Sequence, residues 1–260
     1  MTTQACPSPT STAVTSNRSQ SFLDRPWVTF SGVILLLLVL EGQLLYSVRR
    51  ESLTWDEGDH IFAGYMSLKH KDFGLNPEHP PLVKMVAALP LQNMTLREPQ
   101  LQNRYFKTEA YLSGGDFIFQ NDFETIIFRA RMAASIFALM VALLAFLSAR
   151  EMFGTGAGFI TLLLMVFEPN FLAHGALVTT DTGAACCLLA SIYAFYRYTK
   201  SPSRGRLAVL GLAAGIFFIT KHSAVLLPAM LILLAITELL RRRQVGDESR
   251  LLRHCGWPVS

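Results

Sequence analysis

Residues 27–48 read WVTFSGVILLLLVLEGQLLYSV, an apolar run interrupted by a single charge, Glu41. A helix rises about 1.5 Å per residue, so about 20 apolar residues cross a hydrocarbon core about 30 Å thick. This run meets that length. Further apolar runs follow at Met132–Ala149, Gly156–Phe167, Thr182–Tyr196, Leu207–Thr220 and Ala224–Leu240. The 260-residue chain is 51% apolar and only 16% charged, against roughly 25% charged in soluble domains, and its mean hydropathy is +0.34. The expected fold class is an all-α integral membrane protein of about six transmembrane helices. The third and fifth runs are short, and are expected to tilt, to be buried in protein or to meet a thinned interface.

Charge placement orients these runs. Arg197, Lys200, Arg204 and Arg206 form one basic cluster and Arg241, Arg242 and Arg243 another, each beside an apolar run, as cytoplasmic ends do. The net charge of +4 therefore does not point to nucleic acid, since these clusters lack interleaved aromatics. With the N-terminus inside, residues 1–26, rich in Ser, Thr and Pro, are expected as a disordered cytoplasmic tail. Residues 27–240 form the membrane domain, with a long external loop over 49–128, and residues 241–260 form a cytoplasmic end. The four cysteines, Cys6, Cys186, Cys187 and Cys255, have neither a zinc spacing nor a disulfide framework.

The loop carries more than half of the chain's 19 acidic residues and has internal structure. Thr54-Trp55-Asp56-Glu57 has the form of a capping box, with Thr54 as N-cap and Glu57 reaching back to it. Behind it Ile61, Phe62, Tyr65, Met66 and Leu68 suit an amphipathic helix lying on the membrane surface. Asn76-Pro77-Glu78-His79-Pro80-Pro81 breaks the chain, and Leu82, Met85, Val86 and Leu89 then mark a second amphipathic helix.

Two readings stand for each polar candidate. Asp56 either favours the positive end of a helix dipole or, kept ionised there, accepts a proton from a substrate hydroxyl. Glu78 and His79 are either a solvated turn or a rigid mount for a phosphate or a divalent cation, although two residues do not define a metal site. Asp181 is either the N-cap of the fourth span or an acid facing the same compartment as Asp56. Lys221 and His222 either snorkel or meet an anionic partner such as a lipid phosphate. All of these emerge on the external face, which favours one site.

Thr54-Trp55-Asp56-Glu57-Gly58, Pro77-Glu78-His79-Pro80-Pro81-Leu82, Leu177-Val178-Thr179-Thr180-Asp181 and Phe218-Ile219-Thr220-Lys221-His222 stand in the order found in membrane glycosyltransferases of the C-type fold. Arg129-Ala130-Arg131-Met132-Ala133 resembles the Arg-rich start of the second span in that group. The chain is similar, over Phe22 to Leu240, to glycosyltransferase family 39, the protein O-mannosyltransferases and lipid A aminoarabinose transferases. The resemblance implies that Asp56 is the catalytic carboxylate, Glu57 its motif partner and Asp181 a second acid lining a substrate pocket. Glu78 would match a glutamate that takes part in a metal site in some relatives, the one cofactor implied. His79 stands where many relatives carry lysine, and His222 replaces the glycine of a Thr-Lys-Gly pattern whose lysine matches Lys221. The implied partners are a polyprenyl-phosphate-linked sugar, a protein or lipid or glycan acceptor, and membrane lipid; the implied location is a bacterial inner membrane with the site facing outside. Members of that group are longer, so the chain is expected to be an N-terminal portion. The alternatives are a transporter subunit, which would show inverted repeats and mid-depth charges, or a non-catalytic membrane assembly protein.

Overall fold

Pro26 begins the first long helix, α1 (Pro26–Val48), at a position where its missing N–H is not needed. The computed structural model describes residues 22–254; most of the expected disordered tail, together with Cys6 and Cys255, lies outside the described residues. Every described element is helical. After α1 come α2 (Glu57–Lys69), α3 (Leu82–Ala88) with a 3-10 turn over Leu89–Leu91, and α4 (Phe106–Phe119). Then follow α5 (Phe123–Phe153), α6 (Thr155–Val166), the short α7 (Pro169–His174), α8 (Thr180–Lys200) and α9 (Arg204–Phe218). A 3-10 turn over His222–Leu226 leads into α10 (Leu227–His254).

The six apolar runs fall in α1, α5, α6, α8, α9 and α10. Three segments, Pro26–Val48, Phe123–Phe153 and His222–Gln244, are long and apolar enough to cross a membrane, and Thr155–Val166 is a shorter apolar helix. Their outward faces are strongly apolar: Phe30, Leu35 and Leu38 of α1 and Ile232, Leu233 and Leu239 of α10 are all exposed. A soluble protein leaves no such continuous surface bare, whereas lipid tails cover it without cost. The chain is an all-α integral membrane protein.

Helix direction alternates, and side-chain contacts fix it. At one end the Thr155 hydroxyl donates to Asp24, Arg197 pairs with Glu151 at 3.4 Å, and Arg242 donates to the Thr199 carbonyl. This end collects the basic clusters. At the other end Gln43 donates to the Val166 carbonyl at 3.1 Å, and Arg131 donates to the carbonyls of Ser52 and Glu51 at 2.8 and 3.1 Å. The segment between α1 and α5, with its helices α2, α3 and α4, packs over this second end. Within the bundle Glu41 accepts from the Ser135 hydroxyl at 3.0 Å, so the lone charge of α1 is tied to α5.

The helices of that segment differ in one respect from surface-lying amphipathic helices. From Glu57 to Ser67 all of α2 except Asp59 is buried, enclosed chiefly by α3 and α4. Its apolar face meets Phe117, Ile118 and Ile126 instead of being left for lipid. In α3 the stripe Leu82–Met85–Val86–Leu89 is half-buried to exposed, while Val83, Lys84, Ala87 and Ala88 turn inward. Small residues decide this: a Cβ on Gly64 would lie 2.1 Å from the Lys84 carbonyl oxygen, so the α2 and α3 backbones touch there.

Candidate functional site

Glu57 is the best-anchored of the sequence-predicted residues and is fully buried. Arg131 of α5 forms a two-pronged ion pair with it, Nε donating to Oε1 at 2.8 Å and Nη2 to Oε2. The Val178 N–H donates to Oε1 at 3.0 Å, and the Thr54 N–H and hydroxyl donate to Oε2 at 3.0 and 2.9 Å. Half of the expected capping box is therefore present: the Glu57 carboxylate returns to the Thr54 N–H. The Thr54 hydroxyl, however, donates to the same carboxylate and caps no helical N–H. Burial alone would raise the Glu57 pKa, but Arg131 and the Val178 and Thr54 N–H groups together hold it below the ordinary carboxylate value. Every lone pair is engaged, so Glu57 fixes the backbone around Asp56 and does not itself face a substrate.

That lock presents Asp56 to solvent. Asp56 occupies the N-cap position of α2, its carbonyl accepting from the His60 N–H at 3.2 Å and from His60 Nδ1 at 2.7 Å, and its side chain lies on the exposed surface. Beside it, Trp55 stacks on Tyr111 with ring centroids 4.7 Å apart, at the mouth of a cleft of about 400 Å³ also lined by Thr54, Asp59 and Asp116. A larger cleft, about 580 Å³, lies between Arg49 and Glu124 and holds none of the predicted site residues.

The Asn76–His79 turn faces the start of α2. Glu78 pairs with Lys107 of α4 at 3.1 Å, and the Glu78 carboxylate, with Asp56 more weakly, raises the Lys107 pKa. The His79 ring lies 4.9 Å from that of His60. Burial, reinforced by His60, Lys84 and Lys221 and opposed by Asp59, lowers the His79 pKa and keeps the imidazole neutral near pH 7. Glu78 fits a divalent-cation site poorly. Its carboxylate is taken by Lys107, and among the described residues no three His, Cys, Asp or Glu side chains converge.

The membrane helices complete this face. Thr179, not Asp181, is the N-cap of α8; Asp181 lies in the first turn, projects outward and forms an ion pair with Lys221 at the break between α9 and the turn that follows. His222 Nε2 lies 3.3 Å from the Pro77 carbonyl, and the Leu82 N–H donates to the Ile219 carbonyl at 3.1 Å. Asp56, Glu78, His79, Asp181, Lys221 and His222 are thus gathered at one end of the molecule, with Glu57 beneath. Asp59, His60, Lys84 and Lys107 also belong there, although no motif marks them. Arg131 was visible in Arg129-Ala130-Arg131, but a charge entering an apolar run gives no hint that its partner lies 74 positions earlier.

The face combines an exposed carboxylate at a helix start, a neutral imidazole, and a lysine and histidine at the break between two membrane helices. Such a set can accept a proton from a hydroxyl and meet an anionic leaving group at a lipid surface. No curated protein and no solved structure matches the chain. The model of the dolichyl-phosphate-mannose-protein mannosyltransferase family matches residues 118–250, which run from α5 through most of α10 and include Arg131, Asp181, Lys221 and His222, while Asp56 and Glu78 lie before it. With that match over half its length, and a membrane bundle whose acidic end is built as described, the chain belongs to the dolichyl-phosphate-mannose-protein mannosyltransferase family and is a membrane glycosyltransferase of the C-type.

Proposed function

We propose that the protein transfers a sugar from a polyprenyl-phosphate-linked donor to an acceptor hydroxyl of a protein, lipid or glycan, in one inverting displacement. Asp56 takes the hydroxyl proton while that oxygen attacks the anomeric carbon, and the polyprenyl phosphate departs from the opposite side. Lys221 offsets the charge developing on the leaving phosphate after exchanging its partner, Asp181, for it. His222 braces the Pro77 carbonyl, and neutral His79 offers a hydrogen bond at the same rim. The site faces the outside of a bacterial inner membrane, opposite the basic end.

The observation that carries this reading is the Glu57–Arg131 lock, which spends a buried carboxylate and a buried arginine on holding Asp56 at an exposed helix start. A transporter would place its charges at mid-depth, whereas these lie at helix ends. The test is transfer of a radiolabelled sugar from a polyprenyl-phosphate donor by the protein reconstituted in lipid nanodiscs. Asp56→Asn is expected to lower turnover by about 10²–10⁴-fold, the contribution of a positioned base, with insertion and thermal unfolding unchanged. Turnover within threefold of the wild type would remove Asp56 from the role of base.

A further inference from the structure

Lys84 sits on the inward side of α3 with 3% of its surface exposed, and its ammonium donates to the Asn76 carbonyl at 2.7 Å. Among the described residues no carboxylate pairs with it; Asp59 acts on it from a distance and favours the charged form. A buried ammonium held by one neutral carbonyl loses more hydration than it regains, so this lysine does not stabilise the fold by its charge. A methionine would fill the same space without that cost. A residue that weakens the fold where an apolar one would serve is expected at a functional site.

What it holds is the turn of the proposed site. Asn76 has φ +50°, in the left-handed region that a non-glycine residue enters at some cost. Its Nδ2 donates to Asp59 Oδ2 at 2.7 Å, and its Oδ1 is buried with no partner among the described residues. Two grips, Lys84 on the carbonyl and Asp59 on the amide, keep this residue in place. Glu78 and His79 follow within three residues. We infer that Lys84 is a positioning residue of the transfer site: its ammonium clamps the Asn76 carbonyl and so fixes the turn that sets Glu78 and His79 beside Asp56. This rests on the reading of the Asp56 face as the transfer site. The charged and titratable groups that act on Lys84 are Asp59 of α2 and His79 of the turn; His60 and Lys221 act in turn on His79. Burial pushes its pKa down to about 8, so the clamp is still charged at neutral pH.

The experiment compares wild type, Lys84→Met, Lys84→Arg and Asp56→Asn, each as the full chain in nanodiscs, by transfer kinetics and by hydrogen exchange of the 70–82 segment. Lys84→Met is expected to lower kcat/KM for the donor at least tenfold and to speed exchange of the turn at least tenfold, with a melting temperature no lower than wild type. Lys84→Arg, which keeps the cation, is expected to restore at least a third of the lost kcat/KM. Unchanged kinetics and unchanged exchange in Lys84→Met would overturn the clamp, even with Asp56→Asn inactive. Conversely, full transfer by Asp56→Asn would overturn the site reading, and exchange of the turn would still decide the clamp. Should Lys84→Met fail to insert, Lys84→Gln, which also removes the cation from the Asn76 carbonyl, must show the same two effects or the clamp is wrong.

Discussion

Glu57 and Arg131 show how one buried contact can organise the proposed site from beneath. Both side chains are fully buried, and together they tie the end of α1, the start of α2, the approach to α8 and the first turns of α5. Removing one partner strands the other charge, at a cost of about 3–5 kcal/mol. Glu57→Gln should therefore lower the melting temperature in detergent markedly. The double variant Glu57→Gln/Arg131→Met should be less destabilised than the sum of the two single changes, since they share one interaction; additive losses would show that the pair is not coupled. The Glu57 pKa is lowered by folding, so its stabilisation is fully present above the ordinary carboxylate value of 4.5 and is lost as pH falls through the folded value. Acid unfolding followed by circular dichroism should begin at higher pH in Glu57→Gln than in wild type. Lys84 behaves in the opposite sense. Its folded pKa of about 8 lies below the ordinary 10.5, so the unfolded chain binds more protons between those values and stability rises with pH across that window. The gain is about 3 kcal/mol at 1.36 kcal/mol per unit, and Lys84→Met should lack it in melting curves taken from pH 7.5 to 10.5.

Among the elements, α3 joins the loop to the membrane bundle. Its inward face touches α2 through Gly64, and Val83 meets α8, where a Cβ on Gly183 would lie 2.4 Å from Val83 Cγ2. Its first residue, Leu82, donates its N–H to the Ile219 carbonyl at the end of α9. A side chain at position 64 would be driven into backbone and not into a flexible neighbour. Gly64→Ala should accordingly cost about 1–3 kcal/mol or more, and by moving α3 it should also impair transfer. Stability and transfer both equal to wild type would mean that the two backbones can separate freely. The inward turn of Val83, Lys84, Ala87 and Ala88 also explains why the Leu82–Leu89 stripe remains open on the outside, where lipid can cover it.

At the scale of the molecule, the two ends of the bundle carry opposite chemistry. Arg197 to Arg206 and Arg241 to Arg243 gather at one end, and Asp56, Glu78 and Asp181 at the other. By the positive-inside rule, we propose that the basic end faces the cytoplasm. In a background without native cysteines, Gln100→Cys should react with a membrane-impermeant maleimide added to intact cells, and Ser201→Cys only after the membrane is opened. The reverse labelling pattern would invert the topology and place Asp56 in the cytoplasm.

Composition and apolar run length were enough to determine the membrane class and the six helical runs, because spanning a hydrocarbon layer imposes a length that no local interaction overrides. The order of Asp56-Glu57, Glu78-His79, Asp181 and Lys221 along the chain likewise pointed to the family and to one end of the bundle. The resemblance told Asp56 from its motif partner Glu57, but that Glu57 is tied to Arg131 was not legible. Adjacent carboxylates look alike in sequence, and only packing sends one to solvent and the other to Arg131. Lys84 was hidden for the same reason. Helical periodicity marks Leu82, Met85, Val86 and Leu89 as one apolar face, while close contact at Gly64 turns the side bearing Ala87 and Ala88 inward and takes the lysine inside with them. Periodicity reports which residues share a face; which face is buried depends on the shape of the partner helix, and that exists only in the tertiary structure.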